Sequence, residues 1–191
     1  MLKDKNLLMV FTLAFLVIGG LNGFNNWFEK IMSFNGFKSE QAGYVVAVSL
    51  LFSMVGSSLI PVLSDRLGRR KPFLLVAALF GMLLTYPLLS TTDLDTALSI
   101  AGFSGLLQLP SYALIIALSA VFAGPDRAGL ANGMVMLAGS LGGVVIAMLM
   151  EFVGGTFGWQ YASLVLVVSA FLTLITVLKL TEPRMAKEVY A

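Results

Sequence analysis

The chain contains no cysteine and no histidine, and only 12% of its 191 residues are charged. Without cysteine there is no disulfide, no thiol nucleophile and no thiolate metal site. Without histidine, most catalytic triads, zinc sites and imidazole proton relays are excluded within this chain. No metal, no cofactor and no enzyme chemistry is implied. Soluble domains carry about 25% charge and about 45–50% apolar residues; this chain is 58% hydrophobic, with a mean hydropathy of +0.93.

Such a chain belongs in a bilayer. Crossing a ~30 Å hydrocarbon core takes about 20 apolar helical residues, and runs of that kind occur at 6–28, 41–63, 72–90, 96–123, 128–152 and 159–180. Their continuity favours helices, because barrel strands would alternate apolar and polar residues in segments of about ten. The first run follows Lys3 and Lys5 as a signal peptide would, yet its apolar part continues to Trp27. It therefore reads as a span, with Trp27 and Phe28 as an interfacial anchor. The expected fold is an all-α membrane protein, one six-helix transmembrane domain over 1–191.

Charge sets the expected orientation. With both termini cytoplasmic, Lys3, Lys5, Arg66, Arg69, Arg70, Lys71, Arg127, Lys179, Arg184 and Lys187 lie inside, and only Lys30 and Lys38 outside. The positive-inside rule thus favours an inner or plasma membrane protein of that orientation. The net charge of +2 reflects insertion and calls for no nucleic-acid partner.

The stretch "SDRLGRRKP", 64–72, becomes a tight cytoplasmic turn between the second and third helices. A topogenic basic patch accounts for Arg69, Arg70 and Lys71, but not for an acid at Asp65, Arg66 beside it and a glycine at Gly68, where a left-handed residue ends a helix. As "PVLSDRLGRR" the segment resembles the signature loop of the major facilitator superfamily, Gly-x-Leu-Ala-Asp-Arg-x-Gly-Arg-Arg. Pro61 stands for the leading glycine and Ser64 for the alanine. "PDRAGLANG" at 125–133 resembles the start of the glycine-rich fifth helix of a half, and "FGWQYASLVLV" at 157–167 the turn into the sixth. Members usually have twelve helices in two halves; this chain matches one half, more like the C-terminal one because its fourth helix lacks an arginine.

Shifting the sequence by 86 residues aligns Gly19 with Gly105, Ala42 with Ala128, Gly56 with Gly142, Leu63 with Leu149 and Gly68 with Gly154. With three crossings per copy the second copy is inverted, giving a 3+3 repeat over about 6–90 and 96–180. The same shift places Asn22 on Gln108, Asn25 on Ser111 and Asn26 on Tyr112. Amides are costly against lipid and should face the bundle or a water-filled cavity, either as interhelical hydrogen bonds or as a solute path. Pro110 should loosen the fourth helix nearby. The resemblance implies that the first, second, fourth and fifth helices line the path, which adds Tyr44, Ser49, Ser53, Asn132 and Ser140. The glycines of the fifth helix, among them Gly129, Gly133, Gly139, Gly142 and Gly143, suit close backbone packing.

The resemblance also implies a gate. In facilitators the signature aspartate meets the cytoplasmic start of the fifth helix of the other half, so Asp65, Arg66, Gly68, Arg69 and Arg70 are expected to act with Asp126 and Arg127 near Gly129 of a partner. The implied function is transport of a small solute by alternating access, as a homodimer or with a complementary six-helix half. A detached, non-transporting half or a membrane scaffold are the alternatives. No titratable residue occupies the middle of a run, which suits equally a neutral or zwitterionic solute and coupling residues carried by a partner half.

Overall fold

The computed structural model describes residues 4–181, so Lys3, Arg184 and Lys187, counted above toward orientation, lie outside the described residues. Six helices are present: α1 (Lys5–Phe34), α2 (Ser39–Leu67), α3 (Lys71–Ser90), α4 (Leu94–Ala123), α5 (Ala128–Phe157) and α6 (Trp159–Lys179). All six are long and apolar enough to span a membrane. They overrun the apolar runs at several ends, and two of the helix starts carry carboxylate caps. The Asp4 carboxylate accepts from Asn6 and Leu7 at the start of α1, and Asp93 accepts from the Thr96 amide at the start of α4. A short 3-10 turn, Pro125–Arg127, leads into α5.

The helices form two triplets, α1 to α3 and α4 to α6, that exchange partners. α1 packs along α5 and α2 along α4, while α3 lies on α6. Both long crossings are glycine contacts. A Cβ at Gly142 would fall 2.1 Å from the Phe15 carbonyl oxygen, and one at Gly56 would fall 2.1 Å from that of Leu106. Gly19 faces the Gly142 backbone, and Gly105 faces the Ser49 carbonyl. The glycines aligned by the repeat thus do the same work in both crossings.

Pro110 does not break α4, which runs unbroken through it. The proline removes the amide that would pair with the Leu106 carbonyl. That freed oxygen is the one lying against Gly56, and one residue earlier Ser53 donates to the Gly105 carbonyl at 2.9 Å. α2 supplies polar and Cα–H neighbours where the proline withdrew a donor.

The buried core is split across the membrane. One cluster, with Phe28, Met32, Val45, Leu89 and Met150, fills the half near the α1–α2 loop; another, with Leu7, Leu13, Ile115, Val135 and Val177, fills the half near the α2–α3 loop. Phe28 is 3% exposed, so its ring is part of the core, with Trp27 packed against the same cluster.

Candidate functional site

Between the two core clusters lies a cavity of about 240 Å³ walled by α1, α2 and α4. It brings together Asn22 and Asn25 from α1, Gln108 and Tyr112 from α4, and Ser49 and Ser53 from α2, over an apolar floor that includes Phe24 and Phe28. Asn22 is set in place by α5, since a Cβ at Gly143 would meet its side chain at 2.9 Å. Tyr112 is steadied by its hydroxyl, which donates to the Met136 sulfur on α5. The wall offers amide and hydroxyl donors and acceptors with no carboxylate, lysine or arginine. That chemistry recognises hydrogen-bonding groups without needing a charged solute.

Other residues singled out from the sequence sit elsewhere. Asn26 is exposed, outside this cavity lining. Ser111 is buried in a neighbouring cavity of about 120 Å³ and donates to the Leu107 carbonyl at 2.6 Å. Asn132 accepts a hydrogen bond from the buried Ser119 and so ties α5 to α4. Tyr44 is exposed and donates to Glu40 at 2.7 Å, one turn earlier on α2. Ser140 is exposed on α5. Of the α5 glycines, Gly139, Gly142 and Gly143 press against α1, whereas Gly129 and Gly133 have open space around them.

The α2–α3 turn is built around Gly68. Its φ of +61° is left-handed, and the Arg69 amide reaches back to the Ser64 carbonyl at 3.2 Å, closing the helix as a left-handed cap does. Ser64 returns the favour by donating to the Arg69 carbonyl at 3.1 Å. This turn folds Arg70 under the helix end, where its guanidinium meets Asp65 at 3.4 Å with its side chain only 11% exposed. The Arg70 Nε and Nη1 atoms are buried without a hydrogen-bond partner. Arg66 and Arg69 project outward, as do Asp126 and Arg127 in the 3-10 turn.

Lys71 does more than carry topogenic charge. Its ammonium donates to the carbonyls of Leu178 (2.9 Å) and Leu180 (2.7 Å), satisfying the last turn of α6. At the opposite rim Trp27 and Trp159 stack with centroids 5.0 Å apart, and Lys30 lies 4.2 Å over the Trp159 ring. Trp27 also donates to the Ala147 carbonyl at 2.9 Å. Neither arrangement announces itself in sequence, because each joins residues more than a hundred positions apart.

The model of the Major Facilitator Superfamily matches residues 10–189. The chain belongs to the major facilitator superfamily. An uncharacterized protein of Archaeoglobus fulgidus is 31% identical over 150 residues, covering 78% of this chain and 69% of that protein. A quinolone resistance transporter of Acinetobacter baumannii is 28% identical over 188 residues, covering 94% of this chain but only 43% of the relative. The facilitator chain is thus about half the size of that transporter, and it is a membrane transporter-family protein with, among the described residues, six helices long and apolar enough to span a bilayer.

Proposed function

We propose that this chain is one half of a secondary transporter, moving a small neutral or zwitterionic solute by alternating access. The observation that carries the reading is the single cavity holding Asn22, Asn25, Gln108 and Tyr112. Amides in a bilayer-spanning bundle are expensive unless they face water or a ligand. Two of these amides come from aligned positions of the two triplets.

The cavity needs a second wall. α2 buries only Ala42, Val45, Ser53, Gly56 and Ser64 of its 29 residues. The exposed Leu51 and Val55 on α2 have their repeat counterparts Leu137 and Leu141 exposed on α5. A second copy related by two-fold symmetry sets α2 against the partner's α5 and α5 against its α2. The same docking lets Asp65 approach the open Gly129 end of the partner's α5, where the helix dipole favours an anion by about 0.3–1 kcal/mol. A complementary six-helix half offers the same geometry, and the 43% coverage of the resistance transporter supports that arrangement. Both termini face the cytoplasm in this reading, since Lys5, Arg66, Arg69, Arg70, Lys71, Arg127 and Lys179 share one end of the bundle.

The test is uptake by liposomes containing the purified chain, with its mass measured in mild detergent. A fluoroquinolone and an uncharged aromatic dye serve as probes. Uptake by a dimer, abolished by Gln108→Leu, supports the homodimer. A monomer without uptake assigns the chain to the complementary-half arrangement if co-expression with an N-terminal half restores transport. Absence of uptake in both settings contradicts the transporter reading.

A further inference from the structure

Three hollows of the bundle share walls. A groove of about 730 Å³ opens between α1, α5 and α6, lined by apolar residues such as Phe15, Val145, Leu149, Leu164 and Val168. Leu16 and Ser169 belong both to this groove and to the 120 Å³ inner cavity. The inner cavity in turn shares Leu21, Phe24 and Gln108 with the amide cavity. From these shared walls we infer that the three form a lateral route, along which an uncharged, membrane-dissolved aromatic solute passes from the bilayer to the amide cavity.

The partition between groove and inner cavity is one side chain thick. Ser169 donates to the Leu16 carbonyl at 3.1 Å, and a Cβ on Gly20 would stand 3.9 Å from that hydroxyl. Gly20, Gly81 and Ala170 keep the far side of the partition clear. A dry cavity of about 150 Å³ accepts benzene; the inner cavity is smaller, so it is the constriction, and Leu16 or Phe24 swings aside for a ring to pass. The groove is apolar, whereas the two cavities beyond it present hydroxyls (Ser104, Ser111 and Thr173) and amides (Asn22, Asn25 and Gln108). A charged solute has no counter-ion along this way and stays out.

This route deepens the transporter reading by naming the solute as one that partitions into lipid. Its test needs no transport. Phosphatidylcholine vesicles containing the chain are photolysed with trifluoromethyl-phenyl-diazirine, and adducts are mapped by mass spectrometry. The route predicts adducts on groove residues and also on Ala77 and Leu107 of the inner cavity. Gly20→Leu fills the inner cavity from a position with room for a side chain, and Gly81→Leu does so independently, its Cβ standing 3.9 Å from Ala170. In either variant that retains the wild-type elution profile, inner adducts should fall to background while groove adducts persist. Wild-type adducts confined to the groove, or inner adducts that survive both plugs, overturn the route. Inner labelling with no transport either by the chain alone in liposomes or on co-expression with an N-terminal half sinks the transporter reading and leaves the route standing.

Discussion

The Leu106 carbonyl oxygen lies against the Cα of Gly56, and the residue that left this oxygen without its helical donor is Pro110, four positions on. The α2–α4 crossing is therefore specified by a proline and a glycine on different helices.

Gly56→Ala should destabilise the bundle by about 1–3 kcal/mol, the usual cost of overpacking, because the clash is with backbone at 2.1 Å and no side chain can turn away. Gly142→Ala, at the matching crossing, should behave alike. Gly129→Ala and Gly133→Ala, with nothing within 4 Å, should leave the thermal unfolding midpoint in detergent unchanged.

Asp65→Asn keeps an acceptor oxygen but removes the negative charge facing a guanidinium whose Nε and Nη1 are already buried and unpaired. We expect a loss of about 1–2 kcal/mol, above the exposed ion-pair range because Arg70 is desolvated. Arg66→Ala and Arg69→Ala, at outward positions, should cost little stability. Chemical unfolding of the four proteins separates the two classes.

Lys71→Met strips the cap from the last carbonyls of α6. Amide exchange should accelerate in the final turn of α6 while the Trp159 end stays protected. Equal acceleration at both ends would contradict a local cap.

At the other rim the chain's two tryptophans report one place. Lys30→Met removes the cation over Trp159 and should shift the intrinsic emission while leaving secondary structure intact, a contribution of about 0.5–1 kcal/mol at an exposed site. Nearby, hydrogen bonds from the Thr96 hydroxyl and amide hold the Asp93 carboxyl below its ordinary value. A group with a lowered folded pKa stabilises at neutral pH and loses that contribution as pH falls through the lowered value. The start of α4 should therefore fray in acid, and Asp93→Ala should fray it at neutral pH, as read by amide exchange at 96–98.

Local physics made much of this visible in the sequence. Six apolar runs gave six helices, Gly68 marked a left-handed helix end, and the aligned amides Asn22 and Gln108 do meet one cavity. What stayed hidden depends on partners far along the chain. Pro110 read as a weakness because its compensation comes from Ser53 and Gly56 of another helix. Nothing local discloses that Ser119 holds Asn132. Lys71 was lost in a run of like charge in which Arg69 faces solvent and Arg70 folds onto Asp65, and the burial of Phe28 depends on residues of α2, α3 and α5 that share its cluster.

The most direct test of the account uses the absence of native cysteine. Gln108→Cys places a lone thiol at the waist of the bundle, to be challenged with a membrane-impermeant maleimide in right-side-out and inside-out vesicles. The account predicts that the reagent reaches this thiol from both faces. Reaction only after detergent solubilisation, in protein that elutes as wild type, would contradict a water-accessible path lined by the α1 and α4 amides.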